Sequence, residues 1–326
     1  ARARASPPTV AAMPLRRVQR IDTDHGDVIH DVAYDHYGAR LATCSSDMCV
    51  RVFDQGRLVA AWKAHDGSVW RVAWAHPEFG QILATCSYDR AVHVYEEPAA
   101  GPDGPGGGAP PWARRARLLH AGDEVTDIAF APKHLGLRLA AAAADGHVRV
   151  YEALDAMKVD QWDLVHDIAA PAVTCVSWCP ALAGPQALAL GHKEGRVGVW
   201  AFSDSTRAWQ EEKAWTDHHG DVHSVSWAPS VGRAHHLVAS GSQDRTVRIA
   251  RLTPPSGGGG GGGGWQATTV ATLRDHRQQV WRVEWNLTGT LLASSGDDGA
   301  VRVWRSDQYG EWSCVSVVDN DGKPSG

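Results

Sequence analysis

One pattern of apolar and polar positions returns six times along the chain. Each copy opens on an acidic or small residue and Val-x-x-Val/Ile-x-aromatic, then continues as Leu-Ala-x-x-x-x-Asp-x-x-Val-x-Val-aromatic. The first reads Asp27-Val28 to Tyr34, Leu41-Ala42, Asp47 and Val50–Phe53; the second Val69 to Trp74, Leu83-Ala84, Asp89 and Val92–Tyr95. The third has Val125 to Phe130, Leu139-Ala140, Asp145 and Val148–Tyr151. The fourth has Val173 to Trp178, Leu188-Ala189, Val197–Trp200, and Glu194 where the others carry Asp. The fifth runs Val222 to Trp227, Val238-Ala239, Asp244 and Val247–Ala250, and the sixth Val280 to Trp285, Leu292-Ala293, Asp298 and Val301–Trp304. Short alternating runs bounded by polar turns predict strands. A fourth, outer strand is expected after each closing aromatic, at Leu58–Trp62, Arg114–Leu119, Val159–Val165, Ala208–Trp215, Trp265–Leu273 and Trp312–Val318.

Successive copies end 42 to 56 residues apart. A period near 40–45 with three or four short strands per unit is the signature of a propeller blade. The expected fold is therefore an all-β propeller of six blades over 15–320, with an extension at 1–14 and a tail at 321–326. The surplus length falls in the Pro/Gly-rich stretch 98–111 and in 254–264, which holds eight consecutive glycines; both read as flexible surface loops. The acidic residue six before the closing aromatic sits in the turn between the second and third strands, where a carboxylate can fix the turn by accepting backbone N–H bonds.

The ends of the chain carry the functional inference. The sixth copy has its own outer strand, so the strand-like run Leu15–Ile21 has no blade of its own and fits the outer strand of a seventh whose inner strands are absent. An open ring exposes two apolar faces, which proteins normally cover, so a partner supplying strands by β-addition is expected. From topology, the groove is lined by Val18, Arg20 and Ile21, by Val28, Val32 and Tyr34 of the first blade, and by the sixth. There the expected residues are Val280, Trp281, Val283, Val301, Val303 and Trp304. Trp70 and Trp281 share a slot where other copies carry Ile29, Thr126, Thr174 and His223; they either fill a gap between blades or anchor a partner.

Composition narrows the alternatives. A net charge of −5, from 32 basic and 37 acidic residues, disfavours a basic nucleic-acid surface. Arg51, Arg149, Arg248 and Arg302 recur at one slot and so do not converge on one patch. No apolar run approaches the roughly 18–20 residues of a membrane span. Six cysteines are too irregular for a disulfide framework; Cys175 and Cys179 sit about 13 Å apart along a strand, beyond disulfide reach. The arginine-rich start, without an acid before Asp22, is either a transit-peptide-like segment or an extension ahead of Met13. Catalysis lacks a motif: there is no Gly-x-Ser-x-Gly, no His-Glu-x-x-His and no phosphate-binding loop, and His–Asp pairs that recur once per copy read as structural.

These repeats resemble WD-repeat proteins, in which a His near the start of each unit bonds the turn Asp; His25, His65, His218 or His219, and His276 are placed to do so. Longer phrases resemble one small family. Trp70–Gly80 (WRVAWAHPEFG) with Leu83–Arg90, Phe130–Gly136, Val148–Ala153, and Gln279–Thr290 with Leu292–Gly299 are similar to the SEH-type nucleoporins, homologues of the Sec-thirteen coat protein. The fourth copy, 251–272 and the alanine run Ala140–Ala144 depart from it. The resemblance implies an open six-bladed propeller completed by a blade from an α-solenoid nucleoporin, at the nuclear pore within the Y-shaped coat that supports mRNA and protein transport. It implies contact with other subunits of that coat, and with the membrane only through them. It also implies, as alternatives, a second setting in a vacuolar or lysosomal nutrient-signalling coat or a vesicle-coat propeller like Sec-thirteen, and it implies no enzymatic activity, metal or cofactor; with the acidic charge balance, no direct nucleic-acid contact is expected. A closed propeller acting as an adaptor is the alternative, and would need Leu15–Ile21 to pair within its own chain.

Overall fold

The computed structural model describes residues 19–97, 112–155, 158–182, 184–230, 232–254 and 264–319. Val18, the stretch 98–111, most of 254–264 and both termini lie outside the described residues. The chain folds into six four-stranded antiparallel meanders, each in sequence order from the inside outward. The first blade comprises β1 (Ile29–Tyr34), β2 (Arg40–Ser45), β3 (Cys49–Asp54) and β4 (Arg57–Lys63), and the second β5 (Val69–Trp74), β6 (Ile82–Ser87), β7 (Val92–Glu96) and β8 (Ala113–Leu118). The third holds β9 (Val125–Phe130), β10 (Arg138–Ala143), β11 (His147–Asp155) and β12 (Lys158–Ala169). The fourth holds β13 (Val173–Trp178), β14 (Ala187–His192), β15 (Arg196–Ser203) and β16 (Ala208–Thr216). The fifth is β17 (Val222–Trp227), β18 (His236–Ser242), β19 (Val247–Thr253) and β20 (Gln266–Leu273); the sixth is β21 (Val280–Trp285), β22 (Leu291–Gly296), β23 (Val301–Ser306) and β24 (Trp312–Val318). All six expected outer strands are present, β12 longer than its pattern suggested.

The turn between second and third strands follows one plan. The residue after the acidic one is left-handed in every blade: Met48, Arg90, Gly146, Gly195, Arg245 and Gly299, with φ between 67° and 83°. Five of the turns carry Asp, whose carboxylate accepts the N–H two residues on, Cys49 N to Asp47 at 3.0 Å and Ala91 N to Asp89 at 3.0 Å for example. In four blades a histidine braces that Asp and a hydroxyl behind it. His65 Nδ1 lies 3.0 Å from Asp89 and its Nε2 2.8 Å from Thr85 Oγ1; His25, His218 and His276 do the same. His218 is the fifth blade's brace, while its neighbour His219 contributes only a backbone N–H to Asp244. The fourth blade, with Glu194, uses two left-handed residues instead. Gly195 lies so close to the fifth blade that a Cβ there would meet the His218 carbonyl oxygen at 2.1 Å.

The inner strands all carry a bulge at the same place. Pairing skips His30, Trp70, Thr126, Thr174, His223 and Trp281, and each skipped residue turns toward the central channel. Ile29 therefore aligns with Val69, and the first blade's counterpart of Trp70 is His30; the spacing alone had put Ile29 there. The rings stack across neighbouring blades, His30 on Trp70 at 4.4 Å and His223 on Trp281 at 4.1 Å.

Apolar faces of adjacent blades make the core. Ala42, Cys44, Val50 and Val52 of the first blade pack on Val69 and Val72 of the second. The same columns join second to third, third to fourth, fourth to fifth and fifth to sixth. Each buried valine contributes about 1.5–3 kcal/mol relative to exposure, so five such seams account for most of the cohesion. The sixth blade makes no such seam with the first, and the ring is open.

Burial alone would raise the Asp298 carboxyl. The N–H groups of Arg277 and Ala300 and the Arg302 guanidinium outweigh it and hold the pKa at about 2. A carboxylate depressed in the folded state contributes stability that is complete above its unfolded pKa of about 4 and lost as pH falls toward the folded one. Asp89 and Asp244 are shifted the same way. Urea unfolding should show stability falling below about pH 4. Asp298→Asn should cost about 1–3 kcal/mol at neutral pH and flatten that acid limb; an unaltered limb in the variant would remove Asp298 from the account.

Candidate partner interface

The inner strand of the first blade has the same apolar columns as the others but nothing on top of them. Val32 is 53 % exposed where Val72, its equivalent in the second blade, is 2 % exposed. Tyr34, in the slot of Trp74, is 60 % exposed, and Val28, Ile29, Leu58 and Val59 extend the uncovered surface. Across the opening, the sixth blade presents Val301 at 42 % and Trp281 at 46 % exposure, with Val303 half-buried. In the other five blades the positions of Val301 and Val303 are sealed by the following blade. Two matching apolar faces therefore look into one gap.

Three residues expected at this edge lie elsewhere. Val280, Val283 and Trp304 are buried against Ala239, Val247 and Ile249 of the fifth blade. Their column faces backward around the ring, and only the Val301–Val303 column faces the gap. Trp304 is further fixed by its indole N–H, which donates to Ser294 Oγ at 2.8 Å.

Residues 19–25 run beside the first blade as the segment ending at His65 runs beside the second. Gln19 abuts Gly56, the Arg51 guanidinium donates to the Thr23 carbonyl, and His25 reaches Asp47 at 2.8 Å. Arg20 is exposed and Ile21 half-buried. The described end of the expected strand Leu15–Ile21, residues 19–21, is not in a strand, and the described residues hold no seventh set of inner strands for it to pair with.

The gap opens into a central cavity of about 820 Å³. One residue per blade holds the axis position, immediately before the inner-strand Val or Ile: Asp31, Arg71, Asp127, Cys175, Ser224 and Arg282; the four charged ones meet. Arg71 lies between two carboxylates, its Nε 3.1 Å from Asp127 and its Nη1 3.6 Å from Asp31, and Arg282 Nε approaches Asp31 at 3.8 Å. Burial opposes the charge on Arg71, but Asp127 and Asp31 outweigh it and hold the guanidinium above its ordinary pKa. These charges escaped the sequence reading; comparing this one column across the six copies would have found them. Burial pushes the nearby Cys175 thiol up to about 12, so it stays protonated. The hydroxyl, imidazole and carboxylate groups of the turns are committed to one another in four copies of the same brace. The arrangement is built to hold strands together.

Comparison with known proteins places this geometry. Four segments, 16–54, 56–96, 209–249 and 267–305, match the WD domain, G-beta repeat. The third blade and the three inner strands of the fourth lie outside those segments yet form the same sheets. The chain is 42 % identical over 321 residues to Nucleoporin SEH1 of Danio rerio, covering 93 % of this chain and 88 % of that protein. It is 42 % identical to Nucleoporin SEH1-B of Xenopus laevis over 94 % of this chain and 89 % of the relative. With Nucleoporin SEH1 of Homo sapiens the identity is 41 %, over 93 % and 89 %. The chain belongs to the SEH1 nucleoporin family. The resemblance seen in the phrases around Trp70 and Trp281 thus extends over nearly nine-tenths of the SEH1 length.

The matched pair Val32 and Val72 tests the open seam. Val32→Glu should leave the unfolding free energy of the isolated chain within about 0.5 kcal/mol. Val72→Glu buries an unpaired carboxylate and should cost at least about 3–4 kcal/mol. Equal costs in thermal unfolding would mean that the first blade's face is covered in solution.

Proposed function

We propose that this SEH1-family chain is a non-enzymatic scaffold subunit of the nuclear pore's outer-ring coat. An α-solenoid nucleoporin completes its ring by inserting a seventh blade between the sixth and the first. The single observation that carries this reading is the pair of uncovered apolar faces, Ile29–Tyr34 on one side and Val301–Val303 on the other. A sheet left open on both sides of one gap is matched by strand addition from another chain. Membership of a family whose members are named nucleoporins sets where that partner is sought. In this role the propeller supports mRNA and protein transport through the architecture of the pore, without chemistry of its own, and sits at the nuclear envelope with the other subunits of the coat.

Val28, Val32, Tyr34, Trp281, Val301 and Val303 are the contact residues on this reading, with Arg20 and Ile21 at the outer margin. Purification through a C-terminal tag from the native source, read by mass spectrometry, tests it. Stoichiometric recovery of an α-solenoid nucleoporin is the expected outcome. Recovery of vacuolar or lysosomal coat subunits, or of a vesicle coat, instead of pore subunits would move the chain to another assembly, and a chain purified alone and monodisperse would overturn the completed-ring reading.

A further inference from the structure

Alternate seams of the ring share a two-bond clasp. Between the first and second blades, Val72 N–H donates to Asp31 Oδ2 at 3.3 Å and the Trp74 indole N–H to the Ala33 carbonyl at 3.0 Å. Between the third and fourth, Val176 N–H donates to Asp127 Oδ2 at 2.9 Å and Trp178 to the Ala129 carbonyl at 3.0 Å. Between the fifth and sixth, Val283 N–H donates to Ser224 Oγ at 3.2 Å and Trp285 to the Ser226 carbonyl at 3.0 Å. The rule is the same each time: an axis side chain accepts a backbone N–H from the next blade, and the carbonyl two residues on accepts from that blade's aromatic. The intervening seams lack it. Phe130 has no donor in the third blade, and Trp227 in the fifth leaves its indole N–H unpartnered while its backbone N–H bonds Ser177 Oγ.

The first blade carries the donor half of the same clasp. By strand register, Val32 and Tyr34 stand where Val72 and Trp74 stand in the second blade. Tyr34 has a hydroxyl donor, and both face the gap. The seam they would make, from a seventh blade to the first, directly precedes the clasped seam between the first and second blades, so the case for a clasp there rests on this register and not on the alternation.

Resting on the proposed insertion of a partner blade, we infer that its innermost strand carries a neutral oxygen acceptor, Ser, Thr or Asn, at the axis position. That oxygen takes the Val32 N–H, and the strand's carbonyl two residues on takes the Tyr34 hydroxyl. Neutrality follows from the charges already at the axis. Asp31 and Asp127 balance Arg71 and Arg282, so a further ionised group sealed among them would have no counter-charge. Ser224 is the precedent for a neutral clasp in this ring.

The partner recovered with the tagged chain is the probe, its affinity measured for the native chain, Tyr34→Phe and Tyr34→Trp. Tyr34 is largely exposed in the free chain, so thermal unfolding should show both variants as stable as the native chain. Loss of one buried hydrogen bond should weaken Tyr34→Phe about 3- to 10-fold. Tyr34→Trp, which restores the donor used at the three other clasps, should bind within about 3-fold of native. A structure of the complex should show the axis residue against Val32. Undiminished affinity of Tyr34→Phe with the blade in place, or a charged or apolar axis residue, overturns the clasp and leaves the inserted blade standing. A complex with no inserted strand overturns the proposed function, and the clasp with it.

Discussion

Every blade of this propeller is apolar on both faces, and that constraint governs the rest. A four-stranded meander with Ala42, Cys44, Val50 and Val52 on one side and Ile29, Val32 and Tyr34 on the other cannot stand alone in water. It needs a neighbour on each side. Six such sheets in a closed circle would make six seams; here they make five, and the remaining two faces meet across a gap. The placement of the proposed partner contacts and the exposure of individual valines follow from this one unmet requirement.

The turns are what allow the sheets to be so nearly identical. A left-handed residue after the acidic one reverses the chain tightly, and the carboxylate satisfies the N–H groups that the reversal leaves without strand partners. Where histidine is available it ties the turn to the hydroxyl behind it and to the segment entering from the preceding blade. In five blades the Asp side chain thus joins the turn to the segment that precedes the blade, and the histidine brace recurs in four of them even where the surrounding sequence differs.

Much of this was legible in the sequence because it is local and repeated. Six copies of one alternation set six sheets, the Asp column set the turns, and the resemblance to WD repeats matched His25, His65, His276 and one of His218 and His219 to their carboxylates. What spacing does not carry is direction and convergence. The bulge that puts His30, and not Ile29, beside Trp70 is a backbone shift with no signature in the order of apolar residues. Val280 and Val283 alternate as Val301 and Val303 do, yet the hand of the ring points the first pair inward to the fifth blade and the second pair at the gap. Asp31, Arg71, Asp127 and Arg282 meet at the axis from four different blades, the first and the sixth among them, and only the curvature of the ring brings them together.

A meander of blades has a consequence for how the molecule forms. Each sheet pairs neighbours close in sequence, and each seam joins consecutive sheets, so contacts in the free chain accumulate progressively from one end to the other. A closed ring of this kind would need one exceptional contact, between segments nearly the whole chain apart, and joining such ends carries an entropic cost that slows folding. Here that joint is left out of the folding reaction. If a partner blade fills the gap as proposed, it becomes an intermolecular step, and the slow, long-range part of making a propeller is governed by the concentration of that chain and coincides with assembly.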